Sequence, residues 1–287
     1  MTRRLAIFNP AAGLARANRR LIARLVGRGA LPDLECTHGP GDATRIAREA
    51  TGYDELLVVG GDGTVAEVLN GMDRSRQRLA LVPAGHGNCL ARDLGVGEMT
   101  AALAALEAGR SEPIDLMRVD IRTAATRRNC LAASTLALGY VAEVVRLGRT
   151  RLAWLGRHAY TAAALMTRPR SLRVGMHGDS DRSVTTLVVN NTAHLANFRA
   201  FHDARLDDGA LDAFESSYGW GRQMLHNGAI LAGSPRFGPA RLWQAPGMVL
   251  RLPQPTLLML DGELTPAVLE VAIACESAAV RCVSAVR

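Results

Sequence analysis

Gly60-Gly61-Asp62-Gly63-Thr64 follows directly on the apolar run at residues 56–59 and leads straight into Val65-Ala66-Glu67-Val68-Leu69. The run reads as a buried strand and the tail as a helix, so the glycines fall on a strand-to-helix turn. Backbone without a Cβ approaches a ligand closely there, and the unpaired N–H groups of the helix N-terminus point at it. Such a turn favours phosphate. A carboxylate in its middle suits either the metal ion that accompanies a phosphate or the hydroxyl that attacks it. Thr64 and Glu67 also have the spacing of a capping box, a role confined to starting the helix.

The cations narrow the chemistry further. All 34 basic residues are arginine, and the chain has no lysine. P-loop and protein-kinase sites each need a lysine on the phosphates, and Schiff-base and pyridoxal chemistry need one as nucleophile. Those classes are excluded. A phosphate site here must use backbone N–H groups, arginine and metal.

Elements able to position such a site alternate through residues 1–122. A strand at residues 5–8 precedes Asn9-Pro10-Ala11-Ala12-Gly13 and a helical pattern through Leu21, Leu25 and Val26. A strand at 34–38 and a helix at 42–51, capped by Asp42, come before the glycine turn. After it stand a strand at 79–82, the turn Gly85-His86-Gly87-Asn88, and a short helix that Gly95 ends. A helix at 100–108 and a strand at 114–121 complete this part. Repeated strand–helix units predict a doubly wound parallel sheet, with its ligand at the carboxyl ends of the strands. Asn9 and both glycine turns fall at those ends.

Beyond Thr123 the texture changes. Short runs at 184–189, 210–215, 248–252 and 256–260 are bounded by Gly, Pro, Asp or Asn, the pattern of an antiparallel β domain, a β-sandwich. Helical stretches at 151–167 and 222–231 interrupt it. The expected organisation is a nucleotide-binding part over 1–122 and a β-rich part over 123–267. A final segment over 268–287 is placed as returning to the first.

The charge of +7 permits an anionic partner, and 4% aromatics argue against stacking platforms for single-stranded nucleic acid. Five scattered cysteines without a C-x-x-C pair read as reduced thiols, and strand signals begin too early for a signal peptide. A cytoplasmic location is expected. The most apolar stretch, residues 130–145, is broken by Ser134, Thr135, Gly139 and Glu143, which speaks against a membrane span. A bilayer would be met from the side.

Taken together and in this order, Asn9-Pro10-Ala11-Ala12-Gly13, the Gly60–Thr64 turn, Pro83-Ala84-Gly85-His86-Gly87-Asn88, Asp207-Asp208-Gly209 and Asp261-Gly262-Glu263 resemble the diacylglycerol kinase catalytic-domain family. That family includes bacterial lipid kinases, sphingosine kinases and ceramide kinases. The resemblance implies ATP, Mg²⁺ and phosphoryl transfer to a lipid hydroxyl, in a fold related to NAD kinase and phosphofructokinase. It also implies a nucleotide domain packed on a β-sandwich lipid domain, with the site between them. It assigns catalysis to Asp62 and Glu263, which also hold the metal, with Asp261 assisting. It assigns the nucleotide to Asn9, Gly13, Gly60, Gly61, Gly63, Thr64, Gly85, His86, Gly87 and Asn88. Asp207 and Asp208 are expected to order a loop or hold a structural cation.

Two departures stand out. His86 replaces the usual threonine, and Cys89 replaces the acid common in bacterial diacylglycerol kinases, which tilts the lipid toward a sphingoid base or ceramide. Leu138-Gly139-Tyr140-Val141-Ala142-Glu143 resembles the sphingosine-kinase segment whose acid, here Glu143, faces the lipid head group. The stretch 146–151 resembles one that supplies arginine to the nucleotide phosphates, with Arg151 preferred and Arg146 second.

Between Glu143 and Asp179 lie seven arginines and no acid, interleaved with Trp154, Leu155, Tyr160, Leu165 and Met166. That composition suits an anionic bilayer face and equally suits a solvated helix packed on the sandwich. Peripheral membrane association is expected, no nucleic-acid partner is, and a homodimer is left open. The competing readings are NAD kinase, which shares the glycine turn, and a non-catalytic lipid-binding protein of the same fold.

Overall fold

The computed structural model describes residues 2–13, 33–176, 181–196, 198–231 and 240–286. The helix expected through Leu21, Leu25 and Val26 lies outside the described residues. Strands β1 (Arg4–Phe8), β2 (Asp33–Cys36), β3 (Glu55–Gly60) and β4 (Arg78–Pro83) pair in parallel in the order β2-β1-β3-β4. Every residue of β3 is buried, as befits a parallel strand covered on both faces. Helices α1 (Asp42–Glu49), α2 (Asp62–Leu69), α3 (Cys89–Asp93) and α4 (Met99–Ala108) follow the strands. At the amino end of the sheet, Glu55 is buried between the guanidinium groups of Arg4 and Arg78. Charge is neutralised there, and the carboxyl ends are left to the glycine turns.

The remaining strands are β5 (Ser111–Thr123), β6 (Arg127–Ala132), β7 (Thr135–Gly139), β8 (Leu172–Met176), β9 (Arg182–Val184), β10 (Thr186–Asn190), β11 (His194–Leu195), β12 (Phe198–Arg199), β13 (Leu211–Ser216), β14 (Arg241–Ala245), β15 (Gly247–Leu260) and β16 (Glu263–Val283). All but β11 and β12 belong to one sheet, whose main path runs β14-β13-β10-β7-β15-β16-β4-β3-β1-β2. The β-rich part is antiparallel, and Leu136, Leu138, Leu187, Val189, Leu258, Val271 and Ile273 share its core. The fold class is therefore α/β followed by a mostly antiparallel β-rich part. β16 is the seam. It pairs with β15, then along its other edge with β5, and at Arg281 and Cys282 it runs parallel to β4.

Several local expectations change. Asp42 does not cap α1: the N-cap is Gly41 at φ 85°, and the Asp42 carboxylate accepts from the His38 N–H at 2.8 Å. The Thr64–Glu67 capping box does not form, because α2 already starts at Asp62 and Thr64 lies inside it. Glu67 accepts instead from the Ala43 N–H of α1 at 3.1 Å. The runs at 248–252 and 256–260 are one strand, β15, whose register shifts between Arg251 and Thr256, where Pro253 and Pro255 remove ladder donors. The stretch 130–145 is the end of β6, β7 and the start of a helix.

That helix, α5 (Tyr140–Thr150), is followed by a 3₁₀ segment (Ala153–His158) bent at Gly156, then by α6 (Ala159–Met166). The single helix expected at 151–167 is thus broken at a glycine with φ 56°. α7 (Trp220–Leu231) joins α5 through Asn227, whose amide donates to the Tyr140 hydroxyl at 2.7 Å. Gly95, at φ 72°, ends the helix before it as expected, its N–H donating to Arg92 O at 3.0 Å. Among the described residues, no helix is long and apolar enough to cross a membrane.

Candidate active site

Two glycine turns meet at the carboxyl edge of β3 and β4. A Cβ on Gly61 would stand 3.0 Å from Gly85 Cα, and one on Gly85 would stand 2.6 Å from Gly61 Cα. The backbones touch because neither residue has a side chain. Ala84 N–H donates to Gly60 O at 2.8 Å, carrying the strand pairing to the edge of the turns.

Asp62 opens α2 and turns its carboxylate toward the second turn. Its Oδ1 accepts from the Cys89 N–H at 2.8 Å, and a Cβ on Gly87 would lie 2.8 Å from its Oδ2. Burial, reinforced by the negative charge of Asp261, pushes the Asp62 carboxyl up to about 6, against the pull of the Cys89 and Asn88 N–H groups. A carboxyl poised there is ionised at neutral pH yet basic enough to take a proton.

Asp261 and Gly262 have φ of 47° and 85°, and Leu260 pairs with Glu263 across them. Asp261-Gly262 is thus a two-residue hairpin turn of the kind that needs positive φ at both positions. The two acids of the motif part company here. Asp261 is buried and accepts from the N–H groups of Ala133 (2.7 Å), Ser134 (2.9 Å) and Thr135 (2.9 Å), and from the Ser134 hydroxyl (2.7 Å). Its carboxylate is fully occupied, so it holds the turn and contributes charge rather than a free catalytic oxygen. Glu263 is 70% exposed and ion-pairs with Arg149 at 3.0 Å. Its Oε1 lies 3.7 Å from where a Cβ on Gly63 would stand, so the hairpin tip reaches the first glycine turn.

Other expected ligands have structural work. Asn9 donates through Nδ2 to Thr64 Oγ1 at 2.9 Å and accepts from the Ala11 N–H at 2.9 Å, which ties the Asn9–Gly13 turn to α2. Asn88, at φ 52°, accepts from Gly85 N–H and donates to Gly85 O, both at 2.9 Å. Those amides shape the turns. A Cβ on Gly60 would meet Thr64 Cβ at 2.7 Å, so Gly60 makes room for the helix. His86 seats its ring on the Asn9–Gly13 turn: a Cβ on Gly13 would be 2.0 Å from His86 Cε1. The imidazole therefore bridges the Asn9–Gly13 turn and the second glycine turn.

Arg149 is the arginine that sequence reasoning missed. It donates to Gly262 O at 2.6 Å as well as pairing with Glu263, whereas Arg151 is exposed at the C-terminal cap of α5. One turn of helix separates it from Arg146, which pairs with Glu143 at 2.6 Å. Helical phase is the signal that could have found it. Asp207 pairs with Arg205 at 3.0 Å and Gly209 N–H donates to buried Asp115 at 2.7 Å, so this loop is ordered by protein contacts. Burial holds the Cys89 thiol well above its usual range, which makes it a packing residue.

A carboxyl pushed up to about 6 thus stands between two glycine turns, with a second acid and an arginine at their mouth, an arrangement that suits phosphoryl transfer. Residues 3–119 match the diacylglycerol kinase catalytic domain, and similarity to kinases of that name makes the protein an enzyme, a kinase. It is 28% identical over 218 residues to a diacylglycerol kinase of Staphylococcus aureus (strain MRSA252), covering 71% of this chain and 67% of that one. A diacylglycerol kinase of Bacillus subtilis (strain 168) is 32% identical over 129 residues, 42% of this chain and 43% of the relative. The crystal structure of a diacylglycerol kinase from Bacillus anthracis str. Sterne shares the fold at a TM-score of 0.77, with 24% identity over 99% of this chain and 97% of that one.

Proposed function

We propose that this chain transfers the γ-phosphoryl group of ATP to the hydroxyl of a membrane lipid, with diacylglycerol as the acceptor. The observation that carries this reading is Asp62, held between two touching glycine turns with its carboxyl pushed up to about 6. Backbone N–H groups at Gly61, Gly63 and Gly87 would donate to the phosphate oxygens. Asp62 takes the proton of the lipid hydroxyl as its oxygen bonds to the γ-phosphorus and the bond to the ADP oxygen breaks. Arg149, on α5 against the Asp261-Gly262 hairpin, offsets charge on the transferring group.

The donor set suits Mg²⁺. Among the described residues no three His, Cys, Asp or Glu side chains gather into a cage. Asp62 and Glu263 would supply hard oxygens, the one or two carboxylates this ion takes when phosphates and waters complete its shell. Bound there, it would neutralise β- and γ-phosphate charge. The names of the relatives favour diacylglycerol over the sphingoid lipid suggested by Cys89. The protein meets this substrate at an anionic bilayer, presenting Trp154, Leu165 and Met166 of the helical segment with Arg168 and Arg170 just beyond it, all exposed.

Incubation with γ-labelled ATP and a panel of diacylglycerol, sphingosine, ceramide and glycolipid vesicles tests the reading. Labelled phosphatidic acid that requires Mg²⁺ is the expected product. Label on NAD alone, or lipid binding without turnover, would overturn it.

A further inference from the structure

Asp93, the last residue of α3, reaches across to the β-rich part. Its Oδ1 pairs with His194 Nδ1 and its Oδ2 accepts the Ala193 N–H. A carboxylate has no proton to give, so the His194 Nδ1 is the donor. The pair is largely shielded, with side chains 8% and 22% exposed for Asp93 and His194.

Both ends of the contact lead to the reacting centre. On one side, α3 begins with Cys89, whose N–H holds the Asp62 carboxylate. On the other, residues 190–196 are fastened to the strand turn that Asp261 grips: Thr135 Oγ1 donates to Asn190, and Asn191 N–H donates to Ser134 O at 2.8 Å. Ala196 then sits over the second glycine turn. Its Cα is 3.6 Å from where a Cβ on Gly87 would stand, and the Cys89 thiol lies 3.7 Å from its carbonyl oxygen. Ala196 has φ 53°, a left-handed conformation that a non-glycine residue adopts only when its surroundings impose it.

We propose that Asp93 and His194 are positioning residues that latch the 190–196 loop onto α3 and so fix the Asp62 carboxylate for phosphoryl transfer. The role in turnover rests on the kinase reading above; the latch itself does not. Without it, α3 and the loop separate, Ala196 relaxes, and the Cys89 N–H no longer holds Asp62 in one orientation. A displacement of about 1 Å at such a group lowers turnover on the order of 10²-fold.

Cys89 gives a readout independent of turnover, because the loop covers its thiol and leaves it 5% exposed. Full-length wild type, His194→Ala and His194→Asn are alkylated with maleimide, and each cysteine is followed by peptide mass. In His194→Ala, Cys89 should label about tenfold faster while Cys130 and Cys282, also buried, keep their rates. The kcat should fall by about 10- to 100-fold with KM for ATP and lipid within about twofold. His194→Asn, whose amide N–H stands in for Nδ1–H, should restore both. Unchanged Cys89 labelling overturns the latch, and faster labelling with wild-type kcat overturns the positioning role. Should Cys130 and Cys282 accelerate in parallel, His194→Ala has lost its fold and the decision passes to His194→Asn against His194→Gln. The glutamine amide stands nearer Nε2, so equal kcat for the two overturns the proposal. Absence of lipid phosphorylation by the wild-type protein would strike the kinase reading and the positioning role with it, while Cys89 protection would still report the latch.

Discussion

Gly61 and Gly85 lie in backbone contact, each occupying the space a Cβ on the other would need. Gly85→Ala would force a Cβ to 2.6 Å from the Gly61 Cα, and backbone cannot yield as a flexible side chain does. The turns must part, so kcat should fall by about 10²-fold and Tm by several degrees, since overpacking costs about 1–3 kcal/mol. Wild-type kinetics in this variant would show that the contact has slack.

Asp62→Asn keeps the shape and an acceptor for the Cys89 N–H but removes the base. Its kcat should drop by about 10²–10⁴-fold. Since the folded-state value of about 6 lies above the ordinary 3.8, the ionised carboxylate destabilises the fold above pH 6, and protonation between those values favours it. The asparagine variant should therefore melt no lower than wild type at pH 8. Wild-type kcat should climb as pH rises through about 6 and then level, as the base becomes ionised. A profile flat from pH 5 to 8 would take the proton-accepting role from Asp62.

Asp261→Ala leaves four buried donors without their acceptor. The cost should be about 3 kcal/mol or more, seen as a fall in Tm. Asp261→Asn keeps one acceptor oxygen and should lie between. A variant as stable as wild type but inactive would return Asp261 to a catalytic role.

Glu263→Gln and Arg149→Gln separate two functions at one hairpin. If Glu263 is a metal donor, its variant should need several-fold more Mg²⁺ for half-maximal rate. The Arg149 variant should lose kcat with its Mg²⁺ requirement unchanged. Identical Mg²⁺ titrations for Glu263→Gln and wild type would leave that carboxylate only its partnership with Arg149.

Docking can be read without touching the site. Trp154→Ala with Arg168→Gln and Arg170→Gln should weaken binding to anionic vesicles and activity on them, sparing a short-chain soluble diacylglycerol. Raised salt should mimic the arginine changes, since exposed charges are screened within about 10 Å at 0.1 M. Arg149 does not belong in this set, because it contacts Glu263 and Gly262. Equal losses on soluble and vesicle substrates would place the segment in the fold.

Local pattern was enough to mark the turns that meet at the candidate site. The glycine turn after β3, its partner after β4 and the hairpin Asp261-Gly262-Glu263 are legible because glycine, acid and apolar run impose strand, turn and helix over a few residues. The missing lysine likewise excluded whole mechanisms. Side-chain partnership was decided by tertiary contacts between residues far apart in the chain. Asp261 and Glu263 look alike in sequence, yet one is buried under the 133–135 turn and the other exposed beside Arg149, because Asp261 sits inside the turn at positive φ whereas Glu263 opens β16 beyond it. Thr64 and Glu67 have capping-box spacing, but packing against Asn9 and Ala43 gave them other partners. Which arginine reaches the site depended on helical phase and on where α5 begins. Glycine needs no partner to do its work in a turn, whereas a carboxylate is defined by the group it meets.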